Sequence, residues 1–230
     1  MVNQLTNAAS DYLRMHATQP VDWWEWGDEA LAEAARRDVP IMLSIGYASC
    51  HWCHVMSEES FDDVETAKII NHHFVPVKVD RQQLPDVDAV FMTVTQAMNG
   101  GAGGWPMTLF LTPDGLPFFA GTYFPAEPAP GQPSFTQVLT AMVQSWKTQR
   151  DQLTSTGEYV AKQLERITVE VADEAPDLRE AIDAVEGAFD HVHGGFGGAP
   201  KFPAPTLVDA LLVKGDRRSL ELAQRTLEAM

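Results

Sequence analysis

The stretch YASCHWCHVMSEESF, Tyr47 to Phe61, holds both cysteines of the chain and two of its seven histidines. Its core, Cys-His-Trp-Cys-His from Cys50 to His54, fits three chemistries: a dithiol redox pair, part of a metal site, or attachment of a c-type haem. The flanks choose among them. Upstream, IMLSIGY (Ile41–Tyr47) is a short apolar run bounded by Pro40 and an Ala-Ser pair, which predicts a buried strand. The cysteines therefore follow a strand and open a helix, where unpaired backbone N–H groups and the helix dipole favour a thiolate. Thiols in such C-x-x-C sites titrate below the free value of about 8.5. In this reading Cys50, at the mouth of the helix, attacks. Cys53, one turn in and more buried, resolves the mixed disulfide. A protonated His51 stabilises the Cys50 thiolate, and His51 or His54 supplies acid–base chemistry. With Trp52 these complete the candidate catalytic set.

The competing readings ask for partners. A closed zinc site needs four ligands. Cys50, Cys53 and His54 give three, with no second C-x-x-C or H-x-x-x-H in the chain. The pair His72-His73 reads as a solvated helix end. Haem attachment needs an exporting compartment and an axial ligand. A purely structural reading makes both cysteines small buried residues. The dithiol reading is kept, with a redox-active disulfide and no other cofactor, and zinc on Cys50, Cys53 and His54 as the alternative.

Around the motif, DEALAEAARRD (Asp28–Asp38) predicts a helix with Leu31, Ala34 and Ala35 on one side. VETAKIINHHF predicts another, and FVPVKVD (Phe74–Asp80) a second strand. DVDAVFMTVTQAMN carries Val87, Val90, Phe91, Val94 and Met98 at helical spacing, implying a buried face. Met107–Leu111 and Leu116–Gly121 form a hairpin around Asp114-Gly115. Ser134 caps a helix over Phe135–Leu153, and a further helix covers about Thr154–Ile167. The order predicts an α/β fold, a mixed sheet flanked by helices on both faces. A glycine cluster leads into Trp105-Pro106 at the start of the hairpin, a place for a cis peptide bond. In a dithiol fold such a proline sits against the cysteine pair and leaves backbone groups free to hold a peptide. Trp105 and Pro106 are therefore the candidate substrate-binding residues, against the plainer reading of an ordinary loop proline.

Residues 1–168 form the first domain, acidic residues 169–176 a linker, and 177–230 the start of a truncated helical domain with a pattern that runs uncapped to the end. Sixteen basic against 32 acidic residues, net charge −16, argue against binding a phosphate backbone. The first fifteen residues lack the n- and h-regions of a signal peptide. No apolar run approaches the ~20 residues that span a bilayer. Two cysteines are no disulfide framework. A cytoplasmic protein without nucleic-acid or membrane partners is expected.

These features together resemble the thioredoxin fold. The longer segments QPVDWWEWGDEA (Gln19–Ala30), CHWCHVMSEESFDD (Cys50–Asp63), FVPVKVDRQQLPDVD (Phe74–Asp88), GGWPMTLFLTPDGLPFFAGTYFP (Gly103–Pro125) and HGGFGGAPKFP (His193–Pro203) resemble the spermatogenesis-associated protein 20 family. The resemblance covers nearly the whole chain. It implies a thioredoxin-like domain followed, in longer members, by an α/α-barrel similar to N-acylglucosamine 2-epimerase and other six-hairpin glycosidase-like enzymes. It implies a thiol-disulfide oxidoreductase module acting on a protein or small-molecule thiol or disulfide, with the chain's own C-terminal helical domain as a partner. The alternative is a non-catalytic redox-sensing or metal-binding module attached to that sugar-epimerase-like domain. The sequence departs from ordinary thioredoxins at three places. Ser44 stands where a buried Asp accepts the resolving thiol's proton, Ser49 precedes the first cysteine in place of Trp, and His-Trp replaces Gly-Pro as the insert. In Trp23, Trp24 and Trp26, packing over the core is the expected role and sugar stacking the alternative. A ligand role for His191, His193 or Lys201 would depend on barrel residues outside this chain.

Overall fold

The computed structural model describes residues 3–167, 178–198, 201 and 204–230. The chain divides into two compact units, Met1–Val169 and Glu170–Met230. The first is built on a five-stranded mixed sheet in the order β1-β3-β2-β4-β5. Every residue of β2 (Ile41–Gly46) and β3 (Val75–Asp80) is buried, Ser44, Lys78 and Asp80 included, as befits central strands covered on both faces. The two run parallel, from Ile41 opposite Val75 to Gly46 opposite Asp80. A parallel pair needs a long crossover, and α3 (His51–Met56) and α4 (Val64–His73) supply it. β4 (Met107–Leu111) pairs antiparallel with β2 and with β5 (Pro117–Gly121), and Gly115 in the connecting turn has φ +83°.

Side chains alternate across this sheet. Ile41, Leu43 and Ile45 join Val75, Val77, Val79, Leu109 and Leu111 in one core, closed by α2 (Asp28–Arg37), α5 (Pro85–Met98) and α7 (Arg150–Ile167). Met42 and Phe110 face the other core, with Tyr12 and Leu13 of α1 (Asp11–Met15), both cysteines, Phe61, Ile70 of α4, and Phe135 and Leu139 of α6 (Phe135–Thr148). This is the thioredoxin-like α/β arrangement that the resemblance implies. Ser134 caps α6 in a reciprocal box with Gln137.

Several expectations need correction. Ala30 and Ala34 form the buried side of α2, while Ala35 is exposed and Leu31 half-buried. In α5, Val90 is 50% exposed and Asp88 is buried in its place. The break between the last two helices of the unit falls at Gln149, not near Leu153. The helix that the cysteines open is six residues long and widens into a π-turn over Ser57–Phe61. Helix α1 and the two-residue edge strand β1 (Trp24–Glu25), which pairs Trp24 with Val77, were not anticipated. The tryptophan cluster packs as expected. Trp23 is fully buried in one core, while Trp24 and Trp26 pack on the other, Trp26 edge-on to Phe91 at 5.4 Å.

The second unit holds α8 (Leu178–Gly187), α9 (Pro205–Lys214) and α10 (Arg217–Glu228), with Val208 and Leu211 of α9, Leu222 and Ala223 of α10, and Phe189 just after α8 in one buried cluster. In its glycine-rich loop, Gly194, Gly195 and Gly197 all have φ near +72°, and Lys201 bridges Asp190 and the Gly194 carbonyl. The expected linker, 169–176, lies outside the described residues.

Candidate dithiol site

Strand β2 ends at Gly46, and a turn over Tyr47–Ser49 delivers Cys50 to the N-cap of α3, its backbone N–H bonded to the Tyr47 carbonyl at 3.1 Å. Cys50 and Cys53 form a disulfide. The Cys50 sulfur also accepts the Cys53 backbone N–H at 3.2 Å. The N-cap position aims this N–H at the Cys50 side-chain acceptor, and a thiolate there accepts it more strongly than a disulfide sulfur. Exposure does not separate the two sulfurs as expected: Cys50 is 3% exposed and Cys53 2%. The asymmetry lies in the cap.

The insert residues point outward. Trp52 is 52% exposed and leans on Tyr123, ring centroids 4.8 Å apart, with the His51 ring 5.4 Å from its own. His54 Nε2–H donates to the Ala48 carbonyl at 2.7 Å. A carbonyl only accepts, so this bond places the proton on Nε2 and steadies the turn before Cys50. The π-turn carries Glu59 to Tyr123, whose hydroxyl donates to it at 2.7 Å. Burial, then this bond and the Glu59 charge, push the Tyr123 phenol up to about 12.

Trp105 and Pro106 stand at the same end of the sheet, since β4 pairs Met107 with Ile45 and so sets Pro106 beside Gly46. The Trp105–Pro106 bond is cis. The Trp105 indole N–H donates to Asp88 at 2.7 Å, the Arg81 guanidinium lies 3.9 Å from its ring, and Arg81 pairs with Asp88 at 3.2 Å. That triangle explains why Asp88, not Val90, is buried in α5. An open groove of about 260 Å³ runs between Trp52, Tyr123 and Thr122 on one side and Gly103, Gly104 and Trp105 on the other.

Behind the disulfide lies a polar cluster that the sequence reading missed. Ser44, in place of a carboxylic acid, accepts a bond from Lys78 Nζ at 3.3 Å. Lys78 is fully buried, its Nζ 4.2 Å from the Phe61 ring centroid and 4.5 Å from that of Trp23. Among the described residues it has no carboxylate in an ion pair. Burial therefore drives its titration well below the ordinary lysine range, the Asp62 charge opposing. Gly46 is a glycine because its neighbours leave no room. A Cβ there would lie 2.3 Å from Tyr12 Oη and 2.8 Å from Cys53 Sγ. A lone lysine inside an all-buried strand was the one sequence signal for this cluster. Tyr12, from a short helix far upstream, offered none.

Among the described residues no group of three or more His, Cys, Asp or Glu side chains stands as a metal site. In the alternative trio the two sulfurs are joined and His54 Nε2 is turned to a carbonyl. The His72 and His73 rings meet edge-on at the end of α4. No helix among the described residues is long and apolar enough to cross a membrane.

The Thioredox_DsbH family, described as "Protein of unknown function, DUF255", matches residues 2–165. Mouse spermatogenesis-associated protein 20 is 39% identical over 244 residues, covering 100% of this chain and 31% of that protein. Its human counterpart is 39% identical over 243 residues, covering 99% and 31%. The chain thus spans about a third of the length of these relatives. Among solved structures, "DsbH Oxidoreductase" aligns at TM-score 0.41 and 18% identity, over 54% of this chain and 85% of that one. A putative disulphide-isomerase from Bacteroides thetaiotaomicron aligns at TM-score 0.40 and 24% identity, over 54% and 94%. With its mixed sheet, its C-x-x-C at a strand-to-helix junction and a match across residues 2–165, the chain belongs to the Thioredox_DsbH (DUF255) family of thioredoxin-like proteins.

Proposed function

We propose that the chain is a thiol-disulfide oxidoreductase module in which Cys50 attacks and Cys53 resolves. The observation that carries this reading is the Cys50–Cys53 disulfide at the start of α3, with the Cys53 N–H directed at the Cys50 sulfur. In the reducing direction, the Cys50 thiolate attacks one sulfur of a substrate disulfide. A Cys50–substrate S–S bond forms, the substrate S–S bond breaks, and the departing thiolate takes a proton from water. The Cys53 thiolate then attacks the Cys50 sulfur, closes the internal disulfide and expels the second substrate thiolate, so two electrons pass from protein to substrate. The Cys53 N–H stabilises charge on the Cys50 sulfur while that sulfur is the attacking thiolate. His51 and Trp52, exposed beside the groove, meet the substrate, and His54 holds the turn. The groove between Trp52 and Trp105, bordered by the helix that Cys50 caps, suits an extended thiol- or disulfide-bearing segment.

The partner is a protein or small-molecule thiol or disulfide, in a cytoplasmic setting. In the longer relatives the remaining chain is a candidate intramolecular partner. No nucleic-acid or membrane partner is proposed, and the disulfide is the only redox group required.

The test is trapping. Cys53→Ser incubated with glutathione disulfide should accumulate one glutathione per chain on Cys50, while Cys50→Ser should accumulate far less. Equal labelling of both variants, or none of either, would overturn the assignment of roles.

A further inference from the structure

Resting on the redox reading just given, we propose that the Tyr12 hydroxyl is an internal hydrogen-bond donor to the Cys53 sulfur in the reduced protein, a bond that the disulfide form does not make. Tyr12 is 1% exposed, and in the disulfide form its Oη has no hydrogen-bond partner among the described residues. Buried hydroxyls are nearly always bonded, so an orphan asks for an explanation. The hydroxyl and the Cys53 sulfur both approach Gly46, lying 2.3 Å and 2.8 Å from the point where a Cβ would stand.

The other groups facing Tyr12 offer it less. On β3, Asp80 is engaged by the Ser10 hydroxyl at 2.5 Å and the Gln82 N–H at 2.9 Å. Lys78, also on β3, lies 5.6 Å from the tyrosine ring centroid and is bonded to Ser44. On α1, His16 packs edge-on at 4.9 Å with its Nδ1 bonded to Gln19. Only Cys53, on α3, changes its hydrogen-bonding capacity with redox state. A disulfide sulfur carries no charge and accepts weakly, whereas a thiolate accepts strongly. Burial and the Asp80 charge raise the Tyr12 phenol above its ordinary range, so it donates and keeps its proton throughout.

The consequence falls on the resolving step. Cys53 gives its proton to solvent. Tyr12 O–H steadies the thiolate, which attacks the Cys50 sulfur, forming the internal S–S bond and releasing the substrate thiolate. Lowering the Cys53 pKa by about one unit raises the thiolate population about tenfold at neutral pH. Intrinsic nucleophilicity falls with a slope of about 0.4–0.5, which leaves about a threefold gain in rate. Tyr12 also favours the reduced protein over the disulfide.

Tyr12→Phe keeps the ring and removes only the hydroxyl. Equilibrated with glutathione redox buffers above the Cys53 pKa, the full chain carrying this change should shift about tenfold toward the disulfide. That corresponds to a potential about 30 mV more negative for a two-electron couple. The shift should shrink below that pKa, where the thiol is a poorer acceptor. A change confined to packing would not follow the thiol's titration. As a second readout on the wild-type chain, the ¹³Cζ resonance of Tyr12 should move on reduction. A reversible wild-type couple with an unchanged Tyr12→Phe potential, or an unmoved Tyr12 resonance, would overturn this inference alone. A wild-type chain with no reversible couple would overturn the redox reading and this inference together.

Discussion

Gly46→Ala is the smallest change that probes how the dithiol is seated. The added Cβ would stand 2.3 Å from Tyr12 Oη, 2.9 Å from Tyr12 Cζ and 2.8 Å from Cys53 Sγ. None of these is the free end of a flexible chain. Tyr12 is 1% exposed, and Cys53 is 2% exposed and tied into the disulfide. Overpacking of this kind costs about 1–3 kcal/mol, and replacing a strand glycine by alanine returns about 0.5–1 kcal/mol. The net expectation is a loss of about 1–2 kcal/mol. At about 2–4 °C per kcal/mol for a domain of this size, the midpoint should drop by about 3–6 °C. Reduction frees the Cys53 side chain to rotate, so the loss should be smaller in the dithiol form and the variant's potential less negative. Urea unfolding of oxidised and reduced protein measures both effects. Gly104→Ala is the control, since nothing lies within 4 Å of its added Cβ. A Gly46→Ala chain as stable as wild type in the oxidised form would refute this seating of Tyr12 and Cys53.

Lys78→Met should stabilise the chain by about 1–4 kcal/mol at neutral pH, because it replaces a fully buried amine that is in no ion pair with a carboxylate among the described residues. The folded-state pKa of Lys78 is depressed, so from that value up to about 10.4 the unfolded chain binds more protons and wild-type stability rises with pH. The advantage of Lys78→Met should therefore shrink toward alkaline pH, and a constant gap in denaturant melts would contradict the burial argument. His16 is held neutral by burial and then by the Lys78 charge, its titration lowered to about 2. Unfolding frees it to bind a proton below about 6.5, so stability should fall as pH drops from there, by up to about 1.4 kcal/mol per unit. His16→Asn, which keeps a polar group near Gln19, should flatten that acid limb, and an unchanged limb would remove His16 as its cause.

The sheet was legible because its central strands are short, mostly apolar runs, broken only by Ser44 in β2 and by Lys78 and Asp80 in β3, and because the cysteines follow one of them directly. The cis peptide bond before Pro106 was legible from its place after the glycine cluster. The parts that escaped depend on contacts distant in sequence. Val90 satisfies the helical period of α5, yet Asp88 is buried because Trp105 and Arg81 hold its carboxylate. Strand β1 is two residues long and exists through pairing with β3, so no period could announce it. The break at Gln149 has neither glycine nor proline to mark it, and its position is held by Trp146 and Arg150, which bond to the carbonyl and carboxylate of Asp38. Ser44 reads as a missing acid in the sequence. In the fold it is the hydroxyl that receives a buried lysine from the neighbouring strand.

The central claim is that Cys50 and Cys53 form a reversible redox pair. Its most direct test is a redox titration of the intact chain against glutathione, with free thiols counted by mass after alkylation. The account predicts a single two-electron transition between no free thiols and two, at a potential between about −270 and −120 mV, where catalytic dithiols lie. A potential below about −300 mV, the range of structural disulfides, or cysteines that stay reduced in every buffer, would contradict it.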